Sequence, residues 1–353
     1  MKRLIAILCA VVLALSFVGC GDKADKDTVV TVNGEKVGKG EFECYMYFVK
    51  RTIIASGGED TEEYWNTSEI EGKKAGDVVK ETTLKNVIEF KLLSQKAVEL
   101  GADNSDEMKK TQRENYINQI FGGDEESYLA RIEEFGVTDE DFSRVILDDY
   151  LANEYYKRMK TEPVTDEQVK EYYNKNYFRA HHILIAFSNY TSDSSDGQEE
   201  AFTKINEVKS KLDEGKSFEE LFKTYNEDLG MLENEMGYVF TTESSYMPKN
   251  FVDVVSELEV GEVSDIVETD YGYHIIKRLE AKEVYDEYIN GLSVLFSDGT
   301  STGRDEVAVL VETAARISMI ENWKQEAEIK INNSVFESIK LIKSEKDEEA
   351  TEK

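Results

Sequence analysis

Two short apolar runs carry all three histidines of this 353-residue chain. The first run, residues 179–185, contains His181 and His182, and the second, residues 269–277, contains His274. Both runs are rich in isoleucine, which favours strands, and charged residues or glycine lie beyond their ends. Runs of this kind are typical of buried strands. The concentration of histidine on two of them predicts a functional site.

The segment between the two runs contains three further motifs. They are a Tyr-Asn-Glu-Asp loop at residues 225–228, a Met-Gly-Tyr turn at residues 236–238, and the pair Met247 and Phe251. In this order the motifs resemble the parvulin family of peptidyl-prolyl isomerases, which has a Tyr-Ser-x-Asp loop, a Gly-Gly-Asp-Leu-Gly turn and a Gly-x-His-Ile-Ile strand. The resemblance covers residues 177–282. It implies a parvulin-like domain with a small antiparallel-rich sheet flanked by helices.

The resemblance also implies which residues form the site. The positions that match the family's catalytic network, in which the threonine lies between the two histidines, are His182, Asp228, Thr269 and His274. The positions expected to form the apolar pocket for the proline ring are Met236, Phe240, Met247 and Phe251. The residues alone leave alternatives open, since the apolar four could be ordinary core residues and Asp228 could cap its loop.

The chemistry of such a site is undemanding. An X-Pro bond isomerises over tens of seconds because its partial double bond imposes a barrier of about 18–20 kcal/mol. No bond is made or broken, so a catalyst only has to bind the twisted amide better than the planar one. A carboxylate at Asp228 could supply a favourable field. The paired imidazoles are expected to fix each other's tautomers and support the floor of the site. Strand alternation points His181 to the opposite face from His182.

Two departures from the family affect the predicted activity. Glu233 and Asn234 stand where the family has Gly-Gly, which restricts the backbone angles of the loop that carries Asp228. The loop at residues 188–197 contains no Lys or Arg. Parvulins that select phosphorylated serine or threonine before proline have basic residues in this loop, because a phosphate dianion needs charged donors. We therefore expect an isomerase that does not depend on phosphorylation.

The N-terminus has the pattern of a lipoprotein signal peptide. Lys2 and Arg3 precede an apolar run at residues 4–17 that is too short to span a membrane, and Cys20 follows it. We expect a signal peptide at residues 1–19, diacylglycerol on Cys20 and a tether at residues 20–27. The alternative is a plain signal peptide with an incidental cysteine. In the mature chain Cys44 would then be the one free thiol, which excludes an intramolecular disulfide.

Charge and motif content exclude several other functions. The formal net charge is −31, and such a field repels nucleic acid and anionic lipid head groups. We therefore expect no nucleic-acid partner, and attachment to the membrane through the lipid on Cys20. The sequence contains neither metal-ligand spacing nor a phosphate-binding glycine loop, so it predicts no metal and no cofactor.

The two flanks of the isomerase-like segment read as mainly helical. Residues 28–176 begin with a hairpin around Asn33 and Gly34, and this part resembles the helical chaperone domain of secreted foldases of the PrsA and SurA type. In that type a C-terminal segment, here residues 283–341, packs back on the N-terminal domain. The predicted fold class is therefore α+β, a mostly helical discontinuous chaperone domain with an inserted parvulin-like domain. Residues 342–353 are too charged to bury and are expected to be a disordered tail.

Together these features predict a lipid-anchored foldase on the outer side of the membrane. It would catalyse the cis/trans isomerisation of X-Pro bonds in unfolded or partly folded exported proteins. A second hypothesis is a non-catalytic holdase or assembly scaffold with a silent parvulin domain. A third, a solute-binding lipoprotein, shares the anchor but explains none of the ordered motifs.

Overall fold

The computed structural model describes residues 26–159, 162–190, 196–232, 234, 236–244, 246–293, 296 and 299–342. It divides into two compact units, one of Met1–Glu162 and Arg316–Lys353 and the other of Pro163–Ala315. Five features predicted from the sequence lie wholly or partly outside the described residues: the signal peptide, the tether that begins at Cys20, the loop at 188–197, Glu233 and the C-terminal tail.

The strands are short and most belong to two antiparallel sheets. In chain order they are β1 Thr28–Val32, β2 Glu35–Gly38, β3 Glu69–Ile70, β4 Lys73–Lys74, β5 Tyr177–Ala186, β6 Tyr238–Thr241, β7 Val263–Thr269, β8 Gly272–Leu279 and β9 Ile329–Ile331.

Helices account for most of the rest of the described chain. In chain order they are α1 Lys39–Ala55, α2 Glu62–Thr67, α3 Ala75–Glu99, α4 Asp106–Phe121, α5 Glu125–Phe135, α6 Asp139–Arg158, α7 Asp166–Asn176, α8 Asp196–Asp213, α9 Phe218–Tyr225, α10 Leu229–Leu232, α11 Lys249–Glu257, α12 Tyr285–Asn290, α13 Gly303–Glu326 and α14 Asn333–Ser338. A 3-10 turn, Phe187–Asn189, follows β5 directly.

The first unit brings together the N-terminal and C-terminal parts of the described residues. Its three-stranded sheet has the order β2-β1-β9, so the C-terminal β9 pairs with the N-terminal β1. The β1–β2 hairpin turns at Asn33 and Gly34, whose φ angles of 50° and 87° are both positive, as a type I′ turn requires. Helices α1, α3 and α6 pack together, and their apolar faces share one core with the sheet.

A group of buried charges lies inside this first unit. The Lys91 ammonium is 2.7 Å from Glu41, 2.8 Å from Asp148 and 2.9 Å from Glu35. Tyr45 donates to the Asp148 carboxylate as well, at 2.8 Å. Lys91 and Glu41 are almost wholly buried, so each depends on the other to offset the loss of water.

The second unit is built on the four-stranded antiparallel sheet β6-β5-β8-β7. Strands β5 and β8 are paired from Arg179 to Ala186, with His182 opposite Ile276 and Leu184 opposite His274. His182 and Leu184 face the same side of the sheet because side chains alternate along a strand. His182 and His274 are therefore diagonal neighbours on one face.

The second unit is longer at both ends than the predicted segment 177–282. Helix α7, helix α12 and the first turns of α13 share an apolar cluster that contains Tyr173, Tyr177, Tyr288 and Val307. Buried Glu306 accepts hydrogen bonds from Tyr177 at 3.0 Å and from Tyr288 at 2.6 Å. The unit therefore runs from Pro163 to Ala315. Residues 283–315, expected on the N-terminal domain, belong to this unit because their aromatic side chains pack here.

The predicted fold class is confirmed. The protein is mostly helical, its N- and C-terminal segments share one unit, and the small antiparallel sheet lies in the segment between them. Cys44 is buried in the core of the first unit. Among the residues that the structure describes, no helix combines the length and apolar character needed to cross a membrane.

Candidate active site

The two strand histidines meet as predicted. The rings of His182 and His274 have centroids 5.0 Å apart and are perpendicular, and both side chains are almost fully buried. Thr269, at the end of β7, forms a 2.8 Å hydrogen bond with Nε2 of His274. The Thr269 oxygen also accepts from the backbone N–H of Tyr271 at 3.1 Å. Thr269 therefore holds the His274 ring from β7.

Asp228 lies beside this pair, at the start of the short helix α10. Its Oδ2 atom is 3.0 Å from Nε2 of His182 and accepts a 2.8 Å hydrogen bond from the hydroxyl of Tyr238. Oδ1 accepts from the backbone N–H of Met231 at 3.2 Å. Among the described residues, Nε2 of His182 makes no hydrogen bond of regular geometry despite this short distance. The contact is thus a close electrostatic one, while Tyr238 makes the better hydrogen bond.

The protonation states of the site follow from these contacts. His182 and Tyr238 stabilise the carboxylate and, against the effect of burial, lower the pKa of Asp228 to about 2. Burial, assisted by the neighbouring His182, lowers the pKa of His274 to about 3. Burial and the Asp228 charge raise the pKa of Tyr238. At neutral pH the site therefore holds an ionised Asp228, a neutral His274 and a protonated Tyr238.

An aromatic cup lies next to the histidines; we use this name for Phe240, Met247 and Phe251. The Phe251 ring, on α11, meets His182 at 5.4 Å and His274 at 5.6 Å between centroids, edge to face in both cases. Phe240 packs on Phe251 at 5.9 Å. Phe240 and Phe251 are fully buried, and Met247 is partly exposed. Met247 is therefore the member that a ligand can reach first.

Met236, predicted for the same pocket, lies elsewhere. It packs against the cluster around Tyr173 and Val307 instead of the aromatic cup. Gly237 has a φ of 79°, and this left-handed residue breaks the alternation that would otherwise place Met236 on the side of Tyr238 and Phe240. The prediction for Met236 is therefore corrected.

Two other predicted details can be located. His181 lies on the opposite face of β5, where its ring stacks on Phe222 at 5.3 Å. Asn234 closes the turn before β6: its side chain donates to the carbonyl of Gly237 at 3.0 Å. His181 is therefore a packing residue, and Asn234 has a structural task in the turn.

Sequence reasoning missed Tyr238 as a member of the site. Strand alternation could have indicated this residue. Tyr238 and Phe240 are two positions apart on strand β6, so their side chains face the same side of the sheet. Asn226 also supports the site, because its side-chain oxygen accepts from Leu184 N at 2.8 Å and from Asp228 N at 3.2 Å. These bonds join the loop to β5, and no local sequence pattern indicates them.

Comparisons with known proteins agree with this geometry. Residues 182–280 match the family model described as a rotamase, a PPIC-type PPIase domain. The chain is 32% identical over 286 residues to the foldase protein PrsA of Caldanaerobacter subterraneus, covering 78% of this chain and 82% of that one. It is 26% identical over 352 residues to the foldase protein PrsA of Clostridium tetani, covering 93% and 95% of the two chains.

A solved structure was also found, the crystal structure of PrsA from Bacillus subtilis, at 23% identity and a TM-score of 0.26, covering 82% of this chain and 99% of that one. A TM-score this low adds nothing to the assignment, which comes from the relatives and the domain match. Residues 182–280 thus form a parvulin-type peptidyl-prolyl isomerase domain. The chain belongs to the PrsA foldase family.

Proposed function

We propose that Asp228, supported by His182, His274 and Thr269, is the catalytic centre of this isomerase. The observation that carries the proposal is the ionised Asp228 carboxylate, 3.0 Å from His182 and next to the aromatic cup. A planar amide places partial negative charge on its carbonyl oxygen, and twisting the C–N bond returns electron density to nitrogen. A fixed carboxylate near that oxygen therefore disfavours the planar form relative to the twisted one.

The aromatic cup would bind the proline ring. Met247 and Phe251 offer an apolar wall beside the histidines, and Phe240 supports Phe251 from behind. Burying the ring in this cup fixes the residue that follows the rotating bond, so that the preceding carbonyl can be placed near Asp228. In this proposal Tyr238 orients Asp228, and the two histidines form the floor of the site.

The proposed substrates are unphosphorylated X-Pro segments of unfolded exported proteins. The site contains an ionised Asp228, and residues 188–197 contribute no Lys or Arg that could neutralise a phosphate. A phosphate before proline would therefore meet repulsion. Matched peptides with serine or phosphoserine before proline test this point: we expect equal or slower catalysis of the phosphopeptide, and a strong preference for it would contradict the proposal.

A refolding assay separates a foldase from a silent holdase. The test protein should be one whose refolding is limited by proline isomerisation, a step of tens of seconds or more without a catalyst. An active foldase shortens the slow phase in proportion to its concentration, and Asp228→Ala weakens that effect at least tenfold. A holdase would suppress aggregation and leave the rate constant of the slow phase unchanged, in both the parent and the variant.

We further propose that the protein is anchored outside the cytoplasm by a lipid on Cys20. Lys2, Arg3, the apolar run and Cys20 support this proposal, and a diacylglycerol supplies the two chains needed for stable attachment. Labelling of cells with radioactive palmitate tests it. Cys20→Ser should lose the label and leave the membrane fraction, whereas the matched control Cys9→Ser should keep both. A labelled, membrane-bound Cys20→Ser protein would contradict the anchor.

A further inference from the structure

The edge of strand β5 has an unusual partner beside the site. Strand β8 pairs with β5 from Arg179 to Ala186, but on the other edge β6 pairs only from Tyr177 to Ala180. The loop at residues 226–228 takes the place of a strand on the rest of that edge. Leu184 donates its N–H to the side chain of Asn226 at 2.8 Å, and its carbonyl accepts from the N–H of Glu227 at 2.9 Å.

Glu227 completes this substitute pairing with its side chain. Its Oε2 atom accepts from the backbone N–H of Ala186 at 2.8 Å and from the side chain of Asn189 at 3.0 Å. Its Oε1 atom accepts from the Tyr190 hydroxyl at 2.9 Å and from the Lys204 ammonium at 2.6 Å. Strand β5, the turn that follows β5 and helix α8 thus all donate to the one carboxylate of Glu227. Glu227 directly precedes Asp228 in the chain.

The contacts of Glu227 hold its loop against neighbouring parts of the chain. They are not the contacts of a substrate-binding group. None of the four donors to Glu227 is a predicted site residue, and the side chain is only 13% exposed. Burial opposes the charge, but the donors, led by Lys204, hold the pKa of Glu227 below its usual value. At neutral pH the Glu227 carboxylate is therefore ionised and accepts all four hydrogen bonds as a charged group.

We propose that Glu227 is a positioning residue for isomerisation, which fixes the loop on the open edge of β5 and thereby holds Asp228 against His182. The inference rests on the proposed catalytic role of Asp228. A carboxylate that acts through its field must keep its place, because misplacement by about 1 Å can cost as much as 100-fold in rate. Glu227 supplies this placement through the backbone next to Asp228, and Tyr238 adds a direct hydrogen bond to Oδ2 of the Asp228 carboxylate.

Two substitutions at Glu227 and one matched control test the proposal in the otherwise full-length chain. Glu227→Ala removes all four acceptor contacts, and we expect kcat to fall about tenfold with KM within about twofold of the parent. Glu227→Gln keeps an oxygen for the Ala186 N–H but loses the charge that pairs with Lys204, so its kcat should fall less.

The control is Glu207→Ala. Glu207 also accepts from a tyrosine, Tyr225, at 2.9 Å and pairs with a lysine, Lys211, at 3.2 Å, but it lies on α8. Its removal should leave kcat unchanged. All rates are measured well below the thermal midpoint of each variant, so that every protein is folded. A Glu227→Ala enzyme with the parent kcat, or one that loses only affinity for the peptide, would overturn the inference.

A second readout does not depend on turnover. The protein has three histidines, so the imidazole signals of His182 can be resolved by NMR. Glu227→Ala should shift them as Asp228 moves, while Glu207→Ala should not; unshifted signals would overturn the inference even in an inactive protein. The Asp228→Ala variant distinguishes a failure of the proposed catalytic role of Asp228 from a failure of the positioning role of Glu227. If it has no effect on turnover, the proposed catalytic role fails; if it slows turnover and Glu227→Ala does not, only the positioning role fails.

Discussion

The Asp228 carboxylate and the His182 imidazole, distant in the chain, lie 3.0 Å apart. His182 is fixed by the antiparallel pairing of β5 and β8, and Asp228 by bonds from Met231 and Tyr238. A charge that acts through its field is most effective when it is fixed in advance, because it then does not have to reorganise during the reaction. Here strand pairing holds His182, and one backbone and one side-chain hydrogen bond hold Asp228, so the field beside the aromatic cup has a fixed direction.

Tyr238 provides the first prediction. Tyr238→Phe removes the hydroxyl that donates to Asp228 at 2.8 Å but keeps the ring that packs on His182. A hydrogen bond to a charged group contributes about 1.5–3 kcal/mol, and part of it is replaced by water at this half-buried position. We therefore expect kcat to fall roughly three- to tenfold with little change in KM. Steady-state kinetics on an X-Pro peptide measure this, and a pure KM effect would show that Tyr238 contacts substrate instead.

Met247 provides a test of the aromatic cup that spares the fold. Met247→Ala should raise KM because it removes apolar contact with the proline ring, while kcat changes little. Phe251→Ala is the wrong choice, since Phe251 is 1% exposed and its removal costs about 3–5 kcal/mol of stability. Val260→Ala, at an exposed apolar position of the same unit, is the control. If Met247→Ala has the same KM as Val260→Ala, the proline ring does not bind in the aromatic cup.

The buried charges of the first unit predict an unusual pH dependence of stability. Burial raises the pKa of Glu41 from 4.5 to about 7, although Lys91 opposes the rise. The folded state then binds more protons than the unfolded state between these values, so the free energy of unfolding falls as pH rises from about 4.5 to 7. The fall is at most about 3 kcal/mol.

Urea unfolding at pH 5 and pH 7.5 measures this effect. Both tryptophans, Trp65 and Trp323, lie in the first unit, so tryptophan fluorescence follows that unit. Glu41→Gln should abolish the difference between the two pH values. The lowered pKa of His274 acts in the opposite sense in the second unit, stabilising it as pH rises from about 3 to 6.5. An equal pH effect in the parent and in Glu41→Gln would contradict the assignment to Glu41.

The boundaries of the second unit predict which fragment folds. Residues 163–315 contain the whole cluster around Tyr173 and Glu306, and should unfold cooperatively and keep isomerase activity. Residues 177–282 lack Tyr173, Tyr288 and Val307, each of which buries a large side chain worth about 1.5–3 kcal/mol. We expect the free energy of unfolding of the shorter fragment to be several kcal/mol lower than that of the longer one. Urea unfolding of both fragments, followed by circular dichroism, measures the difference. Equal urea midpoints would show that residues 177–282 form the complete domain.

The sequence allowed the central part of the site to be predicted because its signals are local. The runs around His182 and His274 have strand character, and the order of motifs places Asp228, Met247 and Phe251 between them. The fold class followed from the same order. The hairpin at Asn33 was equally readable, because Asn-Gly supplies two positive φ angles.

The remaining features depend on contacts that no local pattern encodes. The side on which Met236 lies is decided by one left-handed glycine, Gly237. Helix α13 continues past the unit boundary at Ala315, so its apolar stripe alone could not show that Val307 packs with Tyr177. The bonds of Asn226 and Glu227 to β5 join residues about forty positions apart, and only the folded chain brings them together.

The most direct test of the account is the exchange rate of an unphosphorylated X-Pro peptide, measured by NMR exchange spectroscopy with parent protein and with Asp228→Ala. We expect the parent to accelerate cis/trans exchange, and Asp228→Ala to lower kcat at least tenfold, with an unchanged circular dichroism spectrum and a similar KM. If the folded Asp228→Ala protein accelerates exchange as fast as the parent, the carboxylate beside His182 is not the catalytic group and the account is wrong.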